Sequence, residues 1–299
     1  MAFSWLNKRC WELINNHPLS PLPPRGGGLG WGGNGKRMPK IRVQDIEVNY
    51  EEAGKGIPLV MVHGLNGDLT GWVLIMPEFA KHYRTIALDV RGHGGTGKPD
   101  QPYSIKGFSE DLYEFMRKLE IPKAHIFGLS MGGAIAQQFA LDHPEMIRSL
   151  TLVSTFSYID DHARQAVKGL KSRLAEGGYP AFFDEVVKLA FTPEYIAANP
   201  GPIAELKKKR IVINSPVAIG RATDACLGLN LKNQISKITI PTLIVSGRKD
   251  VFTPLHLAEQ IHRSIRGSEW KILEGVGHSL HIESAPDLVQ AVLVFLQRI

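Results

Sequence analysis

Gly128-Leu129-Ser130-Met131-Gly132 is the segment of this chain whose residue types most directly specify chemistry. A serine on a sharp turn between a strand and a helix presents its Oγ at a helix N-terminus, and flanking glycines let neighbouring chain approach without side-chain clashes. A serine hydroxyl is a weak nucleophile near neutral pH. It needs a base within hydrogen-bond reach and a third group to hold that base in the right tautomer. His278, in Glu274-Gly275-Val276-Gly277-His278, and Asp250, in Ser246-Gly247-Arg248-Lys249-Asp250, supply those types. The chemistry this predicts is acyl transfer. Its tetrahedral intermediate requires backbone N–H donors, expected from Met131, after the serine, and from Leu65, in His63-Gly64-Leu65-Asn66-Gly67-Asp68. His256, His262 and His281 are alternative imidazoles among the eleven histidines. Asp160 and Asp224 are alternative acids, and Asp250 is also placed to cap the helix beginning near Thr253.

These residues have to be brought together by the elements around them. Continuous apolar runs at 59–64, 85–90, 124–130, 149–154, 242–247 and 270–275 have the composition of strands buried on both faces of a parallel sheet. Helical patterns at 108–120, 131–144 and 285–297 lie between or after them. The alternation of strand and helix predicts an α/β protein, a mostly parallel, doubly wound sheet covered by helices. Ser130, Asp250 and His278 each follow a strand, so all three fall at the sheet's carboxyl edge. The segment from Ile41 to Gly54 alternates apolar and polar residues as a half-buried antiparallel pair would. Between about 156 and 236 only helical patterns occur, as expected of a lid over that edge.

Domain boundaries follow from this pattern. Residues 39–155 and 233–299 are expected to form the core domain, and 156–232 a helical cap. Residues 1–38, with four prolines between 18 and 24 and the glycine-rich run at 26–35, are expected to be a flexible extension.

The net charge of +6 raises nucleic acid as a partner, but six basic residues against Glu12 place +5 within residues 1–40 and about +1 on the rest. A nucleic-acid footprint belongs on the folded surface, so that partner is excluded. The Lys207-Lys208-Lys209-Arg210 run is expected to be a solvated helix face. No run of about 18 apolar residues marks a membrane span, and the N-terminus lacks a signal-peptide pattern. The two cysteines, Cys10 and Cys226, give no support for a disulfide. A soluble cytoplasmic protein, monomeric or a small homo-oligomer, fits these features.

Gly92-His93-Gly94-Gly95-Thr96-Gly97 matches GxGxxG but continues as a proline-bearing loop instead of opening a helix, so it fails as a dinucleotide site. HExxH, CxxC and HxHxDH spacings are all lacking, so neither a metal nor a cofactor is expected.

The segments HGLNGD, DVRGHGGTGKP, GLSMGG, SGRKD and EGVGH, in that order, resemble the α/β-hydrolase family over roughly residues 41–299. The resemblance implies an eight-stranded sheet, an inserted cap, and a Ser130, Asp250 and His278 triad. It is similar to the branch of small-molecule esterases, enol-lactone hydrolases and cofactor-free perhydrolases. Serine at 130 departs from the dehalogenases and epoxide hydrolases, which place aspartate there. Ser279 stands where many carbon–carbon bond hydrolases carry tryptophan, and the lipase-type HGGG loop is replaced by HGLN.

The function this implies is hydrolysis of a small carboxylic ester or lactone through an acyl-enzyme on Ser130, including acyl-homoserine or enol lactones. Carbon–carbon bond hydrolysis, perhydrolysis and a non-enzymatic ligand receptor are the alternatives. Phe156, Tyr158, Tyr179, Phe182, Phe183, Phe191, Leu227 and Leu229 would give the cap an apolar face toward the substrate, or its own core.

Overall fold

The computed structural model describes residues 38–299. The extension expected over residues 1–38 therefore lies, apart from Met38, outside the described residues. Eight strands form one sheet: β1 (Lys40–Val43), β2 (Ile46–Ala53), β3 (Pro58–Val62), β4 (Arg84–Leu88), β5 (Ala124–Leu129), β6 (Ile147–Val153), β7 (Thr242–Gly247) and β8 (Glu269–Leu273). Their order is β1-β2-β4-β3-β5-β6-β7-β8. β1 pairs antiparallel with β2 and β2 with β4, and every later pairing is parallel. All six residues of β5 and all six of β7 are buried, which is why those strands read as unbroken apolar runs.

Two layers of helix cover the faces. On one face lie α1 (Ile105–Lys118), α2 (Met131–Asp142) and α7 (Leu255–Ser264). The first buries Phe108, Leu112, Phe115 and Met116, a stripe at helical spacing, and Ser104 caps it by accepting from the Gly107 N–H at 3.0 Å. On the other face α8 (Ala285–Leu296) packs Leu288, Val292 and Phe295 against Trp72, Phe79 and Phe127.

The sheet's order reverses at β3 and β5. The chain leaves β3 toward the Trp72 and Phe79 layer and leaves β5 into α2 on the opposite face. Loops that diverge in this way open a crevice at the carboxyl edge, where ligands of open α/β sheets bind.

Four α-helices separate β6 from β7, followed by a short 3-10 turn at Ile235–Lys237: α3 (Asp161–Ala190), α4 (Pro193–Ala198), α5 (Pro200–Ile213) and α6 (Pro216–Leu227). The last three open on proline, whose fixed φ and missing N–H suit a first helical turn, and Thr192 and Ser215 cap α4 and α6. α3 is interrupted at Gly178, at φ 64° and ψ −164°, just before Pro180. This insert has its own core of Leu170, Tyr179, Phe182, Phe183, Val187 and Ile219. Its two connections to the sheet meet at a bridge between Tyr158 and Asn230.

Candidate active site

Ser130 stands between β5 and α2 at φ 54° and ψ −118°. Such a backbone costs a non-glycine residue on the order of 1–3 kcal/mol and persists only where surroundings enforce it. Here they do. The Ser130 N–H donates to Val153 O at 2.8 Å, while its carbonyl accepts from Gly133 N, Ala134 N and the Thr155 hydroxyl, the last at 2.7 Å. Two glycines are required by proximity: a Cβ on Gly128 would sit 2.4 Å from Gly132 O, and one on Gly132 would sit 2.0 Å from Val62 O.

The loop after β8 carries His278 and the loop after β7 carries Asp250. His278 Nδ1 lies 2.9 Å from Asp250 Oδ2, with both side chains buried. An ionised carboxylate only accepts, so Nδ1 bears the proton and Nε2 keeps its lone pair. The rest of Asp250 is saturated: Oδ1 accepts the N–H groups of Phe252 and Thr253 at 2.9 and 2.8 Å, and Oδ2 accepts the Thr253 hydroxyl at 2.7 Å. Asp250 therefore caps the following turn and holds the imidazole at once. Phe252 packs beside the His278 ring, with centroids 5.0 Å apart.

Ser130 and His278 open onto one cavity of about 170 Å³ between the sheet edge and the insert. Its walls include Leu65, Trp72, Phe183, Val187 and Phe191. A second void of about 10 Å³ lies on the other side of Ser130 and Leu65, against Met131, Phe156 and Cys226. That is room for about one water. Among the described residues, the N–H groups of Leu65 and Met131 donate to no protein acceptor. Both are thus available to an oxyanion.

Other candidates fall elsewhere. Asp160 caps α3 and pairs with His256 at 2.5 Å, Asp224 pairs with Lys171, and His262 bonds Ser268. His281 does line the cavity, its ring tilted against Trp72 with centroids 5.4 Å apart, with a buried Nδ1 that finds no partner. Burial, followed by the charges of His278 and Arg210, depresses its pKa to about 3, so it stays neutral. Phe183 and Phe191 face the cavity, Tyr179 and Phe182 pack the insert's core, and Phe156 borders the small void. Among the described residues no three His, Cys, Asp or Glu side chains converge as metal ligands would.

One expectation is corrected. The Lys207–Arg210 run is not wholly a solvated face: Lys207 and Lys208 pair with Asp184 and Glu205, but Arg210 is buried and its Nη1 donates to Asp68 in the loop after β3. Helix α5 turns Arg210 toward the sheet, where a buried carboxylate balances it. The same loop engages the insert again through Asn66. The Asn214 amide donates to Tyr179 Oη at 2.7 Å, and Tyr179 Oη donates to Asn66 Oδ1. The His278 loop is tied to the insert as well. Ser279 N–H donates to Ala190 O at 2.9 Å, and Glu283 Oε2 accepts the Thr192 hydroxyl at 2.7 Å, in a site whose burial raises the Glu283 pKa.

Comparison with known proteins agrees with this architecture. The family model described as the alpha/beta hydrolase fold matches residues 57–285. The 3-oxoadipate enol-lactonase 2 of Acinetobacter baylyi is 26% identical over 86% of this chain and 96% of its own length. A 2-hydroxy-6-oxo-6-(2'-aminophenyl)hexa-2,4-dienoic acid hydrolase of Metapseudomonas resinovorans is 28% identical over 86% of this chain and 90% of its own. Among solved structures, the enol-lactonase from Burkholderia xenovorans superposes with a TM-score of 0.80 at 26% identity, covering 87% of this chain and all of that one.

Proposed function

Because the chain belongs to the α/β-hydrolase fold family, we propose that it is a serine hydrolase of small carboxylic esters or lactones that works through an acyl-enzyme on Ser130. The observation that carries this reading is the shared cavity: Ser130, held at φ 54°, faces the same space as His278, whose Nδ1 is fixed by Asp250 at 2.9 Å.

The chemistry then follows from the residues in hand. Ser130 Oγ bonds to the substrate carbonyl carbon while its proton passes to His278 Nε2. The carbonyl oxygen becomes an oxyanion facing the N–H groups of Leu65 and Met131. Collapse breaks the bond to the leaving oxygen, which takes the proton from His278. Water repeats the sequence in reverse and frees the acid and Ser130. In a lactone the leaving oxygen is tethered to the acyl chain, and the steps are the same. Residues 156–232 act as a cap domain on the core formed by 39–155 and 233–299. The lactonase relative and the lactonase structure support the lactone arm of this reading.

The test is turnover of matched p-nitrophenyl esters, enol lactones, acyl-homoserine lactones and a vinylogous 1,5-diketone by the wild type and Ser130→Ala. Cleavage of an ester or lactone with kcat/KM near or above ~10⁴ M⁻¹s⁻¹, lost in Ser130→Ala, is the expected result. Activity surviving in that variant removes the serine mechanism. Activity confined to the diketone transfers the assignment to carbon–carbon bond hydrolysis.

A further inference from the structure

We infer that Tyr179 and Asn214, both on the helical insert, are positioning residues for the oxyanion donor at Leu65; the inference rests on reading Ser130 as the nucleophile. The Leu65 N–H belongs to a tight turn, in which the Gly67 N–H donates to Gly64 O at 3.0 Å. The third residue of that turn, Asn66, sits at φ 63°. Turns with a positive φ at this position favour glycine or asparagine, so Asn66 is admissible there but not free of cost. Its side chain is where the insert takes hold.

Asn214 Nδ2 donates to Tyr179 Oη at 2.7 Å and reaches Asn66 Oδ1 at 3.3 Å, and the Tyr179 hydroxyl donates to that same oxygen. Asn66, Tyr179 and Asn214 are all more than nine-tenths buried, and burial pushes the Tyr179 hydroxyl up to about 12, so it remains a donor throughout the working range. Hydrogen bonds in series within a water-poor site reinforce one another. A second strap lies two residues further along the loop: Arg210 pairs with Asp68 Oδ2, while Asp68 Oδ1 accepts the Thr70 N–H at 2.9 Å. Asn214 caps the end of α5, its N–H donating to Arg210 O at 3.0 Å, so both straps leave the same end of that helix.

The sequence of α3 explains how Tyr179 gets there. Gly178 breaks the helix at φ 64° and Pro180 follows, so Tyr179 opens the second helical half next to the sheet edge instead of continuing the first. The insert does more than roof the cavity: it clamps the turn that carries one of the two oxyanion donors. Its docking therefore sets kcat as well as substrate choice.

The experiment is a double-mutant cycle on the full chain with the best ester or lactone from the panel above. Tyr179→Phe deletes only the hydroxyl and should lower kcat roughly tenfold or more with KM within about twofold, a fraction of the 10²–10³ lost when an oxyanion donor is removed outright. Affinity for a trifluoromethyl ketone, which bonds to Ser130 and places an oxyanion in the same spot, should fall by the same factor. In an Asn66→Gly background, where the turn keeps its positive φ but lacks the acceptor, Tyr179→Phe should cost nothing further. Glu194→Gln, which breaks the exposed bridge between Glu194 of the insert and Lys249 of the core, should leave kcat unchanged. If Tyr179→Phe does not fold, Asn214→Ala is read in the same cycle. An unchanged kcat, a loss confined to KM, or an equal loss in the Asn66→Gly background overturns the proposal. Ser130→Ala, run alongside, separates the failures: if it turns over, the serine reading falls and this inference with it, whereas a dead Ser130→Ala beside an unaffected Tyr179→Phe removes this inference alone.

Discussion

The Thr253 hydroxyl donates at 2.7 Å to the same oxygen of Asp250 that meets His278 Nδ1 at 2.9 Å. One carboxylate oxygen thus serves both the imidazole and the turn that carries Phe252. Asp250→Asn should retain the fold yet lose at least ~10³-fold in kcat, because an amide stabilises the wrong imidazole tautomer. Thr253→Val, which keeps the shape and removes one charge-assisted bond, should cost about tenfold. Steady-state kinetics on the two variants checks this. Equal losses would mean that Asp250 acts mainly as a turn cap.

The turn at Ser130 makes a sharp demand on Gly132. A methyl group there would lie 2.0 Å from the Val62 carbonyl, and backbone cannot yield as a flexible side chain can. Gly132→Ala should lose more than about 3 kcal/mol, at the severe end of single substitutions. Gly169, inside α3 with nothing beyond its own helix backbone within 4 Å of its missing Cβ, offers the contrast. Gly169→Ala should stabilise by about 0.5–1 kcal/mol through helix propensity alone. Urea denaturation of the two variants decides whether crowding or glycine content governs the turn at Ser130.

The two positions also show what the sequence could and could not reveal. Gly128, Ser130 and Gly132 lie within five residues, so their turn is written in local spacing, and the apolar runs flanking them announce buried strands. The five strand-end segments could be ordered because each sits at one edge of a parallel sheet. Asn66, Tyr179, Arg210 and Asn214 are joined by nothing in local spacing, and the sequence places Tyr179 only in an apolar cap face and Arg210 only in a solvated run. They are separated by up to 148 residues and meet only through tertiary packing of the insert, with no periodicity to join them. Arg210 was masked by its neighbours: three lysines give it the look of a solvated face. The spacing Arg210 to Asn214 was the one available signal, and it becomes meaningful only once the partner loop is known. Thr253 is hidden in the sequence for a similar reason, since a hydroxyl three residues after an aspartate reads first as part of a helix cap.

Acid should unfold this protein earlier than its carboxylates alone would require. Burial is the leading cause that holds His63 and His125 near about 4 and His93 and His281 near about 3, against 6.5 in an unfolded chain. These groups are depressed in the fold, so their contribution is fully present above pH 6.5. It is lost as pH falls toward 4, because the unfolded state then binds protons that the folded state refuses. Asp89, raised by burial to about 6, works in the opposite sense between its unfolded value of 3.8 and 6. Four depressed histidines outweigh the raised carboxyls of Asp89, Asp111 and Glu283 near pH 5, so the unfolded state binds more protons there and stability falls as pH drops from 7 to 5. Urea midpoints measured at pH 7 and pH 5 should differ steeply. A flat profile over that interval would show that the buried imidazoles titrate normally.

Cavity size sets the last expectation, on acyl length. A void of about 150 Å³ holds benzene, so the cavity of about 170 Å³ beside Ser130 accommodates a single ring or a short chain with the insert docked as it is. The walls are largely apolar, and extra methylenes that find no room force side chains off their rotamers at about 1–3 kcal/mol. Hydrolysis of p-nitrophenyl esters should therefore peak between acetyl and butyryl and fall at least tenfold by decanoyl. Phe191 lines the cavity and stacks on Tyr195 with centroids 5.1 Å apart. Phe191→Ala should move the optimum toward longer chains while leaving acetyl turnover within a few-fold, since the change lies in the wall and not at Ser130. If wild type already prefers decanoyl esters, the insert must lift away during binding. The clamp on Asn66 would then have to form and break in every catalytic cycle, and Tyr179→Phe would alter the rate for long acyl groups more than for short ones.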